Sequence, residues 1–236
     1  MPEPDEGKLS SPVLRGVGSR EAPLLPGTQK ENMNIEQMIM DLESSSSCNE
    51  TLNLLFQIIS NTDPRLVQCL AKTIQTPEEI EDTNRFATLL DDLSQPDFIP
   101  PLIESISQGK PSETKWLADY MYVLGNLLQD QDDWWQPEEK FVHLLGDWLF
   151  STGGGEISWK SAIILAELEH SATLEYFFRG AEDQELLHLT RVCCIRGVMN
   201  HFREQAPELL QKLSNDSEQE VREAVASAME WLNRKA

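Results

Sequence analysis

The chain has 236 residues, is 40% apolar and carries a formal charge of −21 from 40 acidic and 19 basic side chains; a chain of this size buries roughly 70% of its unfolded surface without help from metals or disulfides. Its longest apolar runs, such as Ala162-Ile163-Ile164-Leu165-Ala166, fall far short of the ~18 residues a membrane helix needs. No cluster of Lys and Arg exists to displace counterions from nucleic acid or an anionic membrane, so neither is an expected partner, whereas a basic protein would be steered by this field.

Residues 1–32 contain five prolines and four glycines without helical apolar spacing, the composition of a disordered leader. They hold five acidic residues against four basic ones and no apolar core segment, unlike a secretory signal or transit peptide, so a cytoplasmic protein is expected. Met33-Asn34-Ile35 reads as an original start, and the folded domain is expected over 33–236. From residue 34 onward Pro, Asn, Asp, Gly and Ser punctuate one helical pattern after another, with no sustained period-two alternation. Candidate helices fall at 49–60, at 63–74 and at 77–92, the last opened by Thr76-Pro77-Glu78-Glu79.

A stripe at offsets 0, 4, 7, 8 and 11 then recurs four times. It appears as Trp116, Tyr120, Val123, Leu124 and Leu127, then as Ile157, Ser161, Ile164, Leu165 and Leu168. It returns as Arg191, Ile195, Val198, Met199 and Phe202, and finally as Val221, Val225, Ala228, Met229 and Leu232. The starts lie 41, 34 and 30 residues apart, the spacing of stacked helix pairs that bury their apolar faces on one another; a non-repeating helical bundle is the alternative. In the last unit Ala206, Leu209, Leu210 and Leu213 stripe a first helix started by Pro207, and Ser217 with Glu220 reads as a capping box that starts the second helix near Glu218.

The run Ala206-Pro207-Glu208-Leu209-Leu210, the turn residue Asp216, and Val221-Arg222 followed by Ala224, Ala226 and Ala228 resemble a HEAT repeat of the bilin-lyase-like subgroup. Leu124-Gly125-Asn126-Leu127 and Leu165-Ala166-Glu167-Leu168 are similar to the Leu-Gly-x-Leu ending of that family's units. The resemblance covers 206–232 most closely, extends over 97–202, and fades before 95. It implies an all-α, right-handed α-solenoid of about five HEAT-like antiparallel helix pairs, with Asp216 and Arg222 bridging neighbouring units.

Chemistry is sparse in this sequence. Cys48, Cys69, Cys193 and Cys194 form no C-x-x-C pair and read as reduced, buried thiols. G-x-S-x-G and H-E-x-x-H are absent, and Gly153-Gly154-Gly155 lacks the Gly-Lys-Ser/Thr of a phosphate loop, so it reads as a connector. His143 and Asp147 sit one helical turn apart but two ligands make no metal site. His170, His188 and His201 read as ordinary helix residues. Deoxyhypusine hydroxylases, which are built from HEAT repeats, hold iron with repeated His-Glu pairs; here Glu169-His170 is reversed and solitary. HEAT-like DNA glycosylases need a basic groove, which the net charge contradicts. No catalytic residue, cofactor or metal is expected.

The expected function is that of a monomeric protein-interaction module or scaffold, binding a partner on the concave face that second helices line in such stacks. Asp119 and Tyr122, with Lys115, Lys160, Arg196 and Arg222, are candidate contacts there. The most unusual local feature is Asp130-Gln131-Asp132-Asp133-Trp134-Trp135, where two tryptophans follow an acidic cluster just before Pro137. Tryptophans dominate binding hot spots and acids attract a basic partner, although such rings also serve as staples under the next repeat. Two alternative functions are a bilin (tetrapyrrole) lyase or phycobilisome-maintenance role, which the family resemblance implies, and an acidic, immunity-type inhibitor of a basic toxin, which the charge suggests.

Overall fold

The computed structural model describes residues 64–112, 115–131, 135–151 and 155–235. The expected leader, the candidate helix at 49–60, Cys48, Asp132, Asp133, Trp134, Gly153 and Gly154 lie outside them.

Ten α-helices lie among the described residues. They are α1 (Pro64–Ile74), α2 (Thr83–Leu93), α3 (Ile99–Gln108), α4 (Leu117–Gln129) and α5 (Glu139–Ser151), followed by α6 (Glu156–Leu165), α7 (Thr173–Glu182), α8 (His188–His201), α9 (Ala206–Leu213) and α10 (Gln219–Lys235). Short 3-10 turns at Pro77–Glu79 and Pro96–Phe98 precede α2 and α3. No described helix is long and apolar enough to cross a membrane.

The helices form two layers. In the first, α1 packs on α3, α3 on α5 and α5 on α7; in the second, α2, α4, α6, α8 and α10 each pack on the next. Consecutive helices close into hairpins at α3/α4, α5/α6, α7/α8 and α9/α10. The described residues are therefore all-α, a stack of helix pairs in two layers, because a helix with a single apolar stripe must cover it with a neighbour. In α9 the stripe Ala206, Leu209, Leu210 and Leu213 is buried while Glu208 and Lys212 face solvent. Near the middle of the stack α6 meets α4, α5 and α8 and is buried from Ser158 through Leu165, apart from the half-buried Trp159; its nearly all-round apolar sequence is what such a position demands.

The recurring stripes land on the second layer. Trp116, Tyr120, Val123, Leu124 and Leu127 are all buried, as are Ser161, Ile164, Leu165 and Leu168. At the end of the described stack Val221 and Val225 are buried, but Ala228, Met229 and Leu232 are half-buried. Helix α2 departs from the expected span 77–92. Pro77-Glu78-Glu79 makes only one 3-10 turn, Ile80 is extended, and Asp82 accepts a hydrogen bond from the backbone N–H of Arg85, so the helix starts at Thr83. A capping side chain decides the start, since it satisfies an otherwise orphaned N–H. At the last hairpin Asp216 Oδ1 accepts from the N–H of Glu218 at 3.0 Å, and α10 starts at Gln219, beside the start expected near Glu218.

Polar bonds fasten pair to pair. Thr83 donates to Asp119 at 2.8 Å, Asn126 to Asp91 at 2.9 Å, Ser105 to the carbonyl of Ile74 at 2.8 Å and Asn200 to the carbonyl of Ala166 at 3.2 Å. Two glycines set helix approach. The ring of Phe177 from α7 lies on Gly197 of α8, where an added Cβ would meet ring atoms at 2.4–2.6 Å. The ring of Tyr176 covers Gly146 of α5, with ring atoms 2.3–2.5 Å from where a Cβ would stand. Cys69, Cys193 and Cys194 are free and buried, and burial pushes the Cys193 and Cys194 thiols up, away from the reactive thiolate.

A candidate binding groove

Helices α3 and α5 run side by side in the first layer, and the extended segment before α5 closes the space between them. The result is a groove of about 820 Å³ whose apolar wall is made by Pro100, Ile103, Trp135, Pro137, Phe141 and Leu144. This volume lies in the range of small-molecule and side-chain pockets, roughly 300–1,000 Å³. Phe141 is buried and anchors the floor, while Ile103, Trp135 and Leu144 are half-buried and packed against the core. Proline is well placed at both lips: Pro100 and Pro101 occupy the first turn of α3, where no intrahelical N–H bond is lost.

Trp135 is held by its main chain. Its carbonyl accepts from the N–H of Glu169 at 2.9 Å, and Trp135 and Leu168 form an isolated parallel bridge. Beside it, Gln136 donates to the Glu169 carboxylate at 3.1 Å. The residue that enters the α5/α6 hairpin is thus tied to the strand-like exit of the same hairpin. The Trp135 side chain is half-buried, packed against the core beside the exit of the α5/α6 hairpin, and part of the groove's lining.

The groove's charged rim is acidic. Glu104 accepts from Gln75 at 2.7 Å, and Lys140 pairs with Glu138 at 2.7 Å, a hydrogen bond that raises the lysine above its ordinary value. No histidine or cysteine lines it.

The second-layer candidates behave differently from one another. Asp119 is half-buried and accepts from both Thr83 and, at 3.4 Å, Asn84. Lys160 is buried; its ammonium donates to the carbonyl of Ala118 at 2.7 Å and pairs with Glu156 at 2.9 Å. The same ammonium stands 5.5 Å from the ring centre of Tyr122, which is 47% exposed and the most open aromatic of this layer. Arg196 meets the buried carboxylate of Glu167 at 2.9 Å, with 9% of its own side chain exposed. Lys115 is exposed, and so is Asp130, which receives a long 3.4 Å bond from Ser94. Of these positions Tyr122, Lys115 and Asp130 present free surface, whereas Asp119, Lys160 and Arg196 are engaged in holding the stack.

Asp216 and Arg222, expected to share a bridge between units, have separate contacts. Asp216 crosses to the preceding pair, where Arg191 donates to its Oδ1 at 3.0 Å and to its Oδ2 through the second nitrogen. The Arg222 guanidinium instead donates to the carbonyls of Asp216 and Ser217 at 2.6 and 2.9 Å, inside its own unit. Arg191 was placed by its spacing on an apolar stripe; it is 1% exposed and is the largest fully buried side chain. Its visible signal was a charge where every other stripe has an apolar or small residue. A second contact escaped the sequence altogether: His143 Nδ1 lies 2.7 Å from the Tyr176 hydroxyl, across 33 residues.

No protein-family model matches this chain, and no curated protein does. Among solved structures it is similar to human deoxyhypusine hydroxylase in complex with glycerol, at 16% identity over 85% of this chain and 84% of that one, with a TM-score of 0.34. A likeness this loose bears on neither activity nor site residues.

Proposed function

We propose that the chain is a non-catalytic protein-interaction module whose α3/α5 groove takes an apolar anchor of a polypeptide partner, with basic residues of that partner meeting the acidic surface around it. One observation carries this reading: Trp135, tied through its main chain to Glu169 and packed against the core, stays half-buried in the lining of an apolar groove. An aromatic ring held in its binding geometry loses little entropy on association, which is why such residues become hot spots. The charge of −21 supplies the steering field. Tyr122 on the second layer, and Asp130 with its sequence neighbours Asp132, Asp133 and Trp134, are further proposed contacts, and the helix-pair resemblance to the bilin-lyase-like subgroup belongs to this same reading. A bound tetrapyrrole is less favoured, because its propionates call for cations and the groove's lysine is already paired with Glu138.

The test is affinity purification with the full chain from its native host, followed by mass spectrometry and an absorption spectrum. A stoichiometric polypeptide, lost with Trp135→Ala at unchanged helicity and weakened by added salt, supports the reading. A coloured, tetrapyrrole-bearing preparation would replace it with the lyase-like one, and equal capture by wild type and Trp135→Ala would remove the groove from consideration. Substitution of Trp134 by Ala separates the contribution of the second ring. Salt-independent capture would also dismiss the narrower idea of an inhibitor directed at a basic toxin.

A further inference from the structure

The fold brings His188 together with Glu218 and Glu220, about thirty residues further along the chain, three side chains of types that can hold a metal. His188 opens α8, Glu218 sits in the turn before α10 and Glu220 lies in that helix's first turn; one donor atom from each falls within 4.8 Å of the others. Around an ion with metal–ligand distances of about 2.1 Å, donors stand roughly 3–4.2 Å apart, so small side-chain rotations close this triangle.

What distinguishes this corner is that its charges have no partner among the described residues. At the other junctions between pairs, acidic groups meet donors: Asp91 meets Asn126, Asp119 meets Thr83, Glu169 meets Gln136, Glu182 meets Lys212, and Asp216 meets Arg191. Here two carboxylates and an imidazole converge between α8 and α10, and none of the three side chains makes a hydrogen bond or ion pair among the described residues. The guanidinium of Arg222, two residues after Glu220, is turned onto the carbonyls of Asp216 and Ser217. Like charges crowded on a strongly anionic chain are relieved by a cation.

We propose that His188, Glu218 and Glu220 form a binding site for a divalent first-row transition cation, with Zn²⁺ the best match, which joins α8 to α10. One imidazole nitrogen and two carboxylate oxygens select such an ion over Ca²⁺ or Mg²⁺, which prefer all-oxygen shells. Three protein ligands leave at least one position open to water or to a donor from another molecule. The bound ion lies close to the buried Arg191–Asp216 pair and fastens the same two units from the solvent side. The site is independent of the groove at Trp135.

The experiment is titration of the full chain with ZnCl₂ by calorimetry at pH 7, together with the visible spectrum of the Co²⁺-loaded protein and the thermal midpoint with and without metal. Wild type is expected to take one equivalent and to melt at higher temperature when loaded. His188→Ala and Glu220→Gln, at exposed or half-exposed positions that leave the fold intact by circular dichroism, are expected to weaken binding at least about tenfold and to abolish the shift in melting. Absence of binding by wild type would overturn the proposal, as would binding of equal strength in both variants, which would place the ion at His143, His170, His201 or a cysteine instead.

Discussion

Arg191 of α8 grips the carboxylate of Asp216, in the turn before α10, through both terminal nitrogens, while its Nε donates to the carbonyl of Ala181 at 3.0 Å. The two side chains are 1% and 4% exposed. Each of the three guanidinium nitrogens donates a hydrogen bond, and the pair ties the last helix pair to the one before it. A charge this deeply buried is tolerable only with such full satisfaction.

Removing one partner should therefore be costly. Asp216→Ala leaves a buried, unpaired guanidinium and is expected to destabilise the protein by about 3–5 kcal/mol in urea unfolding. Arg191→Met combined with Asp216→Ala is expected to cost less than the sum of the single changes, because it removes the orphaned charge. Strict additivity would show that the pair is not coupled.

The same pair predicts an acid limb. The Arg191 hydrogen bonds, opposed by burial, hold Asp216 below its ordinary value. Its folded pKa is thus depressed, so the stability it contributes is complete above the unfolded value of about 3.9 and is lost as pH falls through the folded value. Thermal midpoints measured from pH 5 downward should drop below about pH 4, and Asp216→Asn should flatten that drop.

Asp91 should behave in the opposite sense. Burial raises it, against the lowering effect of the Asn126 hydrogen bond, with Asp92 and Asp130 adding repulsion. The ionised form is therefore penalised in the folded state. Asp91→Asn, which can still accept from Asn126, is expected to raise stability at pH 7. The gain should fade as the pH falls through the raised folded pKa of Asp91 and vanish below the unfolded value of about 3.9, where wild type is neutral in both states. A gain that persisted unchanged at low pH would point to packing instead of charge.

Two helix glycines offer a paired test of packing. Gly197→Ala places a methyl in the ring of Phe177, which is fully buried. Overpacking of about 1–3 kcal/mol should outweigh the ~1 kcal/mol that alanine adds in helix propensity, for a net loss of stability. Gly146→Ala meets the ring of Tyr176, which is only half-buried and can swing outward. Its cost should be smaller, and its signature is loss of the His143–Tyr176 contact, visible as a shift in the His143 ring resonances.

Much of the architecture is legible in the residues because helical periodicity is local. The stripe from Trp116 to Leu127 and that from Ala206 to Leu213 can be read by counting, and both are buried as helices in a paired stack. The limits of α2 were not legible from Thr76-Pro77-Glu78-Glu79, since a competing cap at Asp82 won. Trp135 drew notice as an unusual residue beside acids. That it forms a groove with Pro100 and Ile103 depends on how closely α3 approaches α5.

The chain's own sequence determined an all-helical stack of pairs, buried reduced thiols at Cys69, Cys193 and Cys194, and a strongly anionic surface, because these follow from short-range spacing and from totals of charge. Tertiary structure decided which partners those residues take. Arg191 meets Asp216 across 25 residues, and His188 meets Glu218 and Glu220 across about 30. Those distances are set by the crossing of α8 and α10, and no local pattern encodes the rotation and offset at which two helices pack.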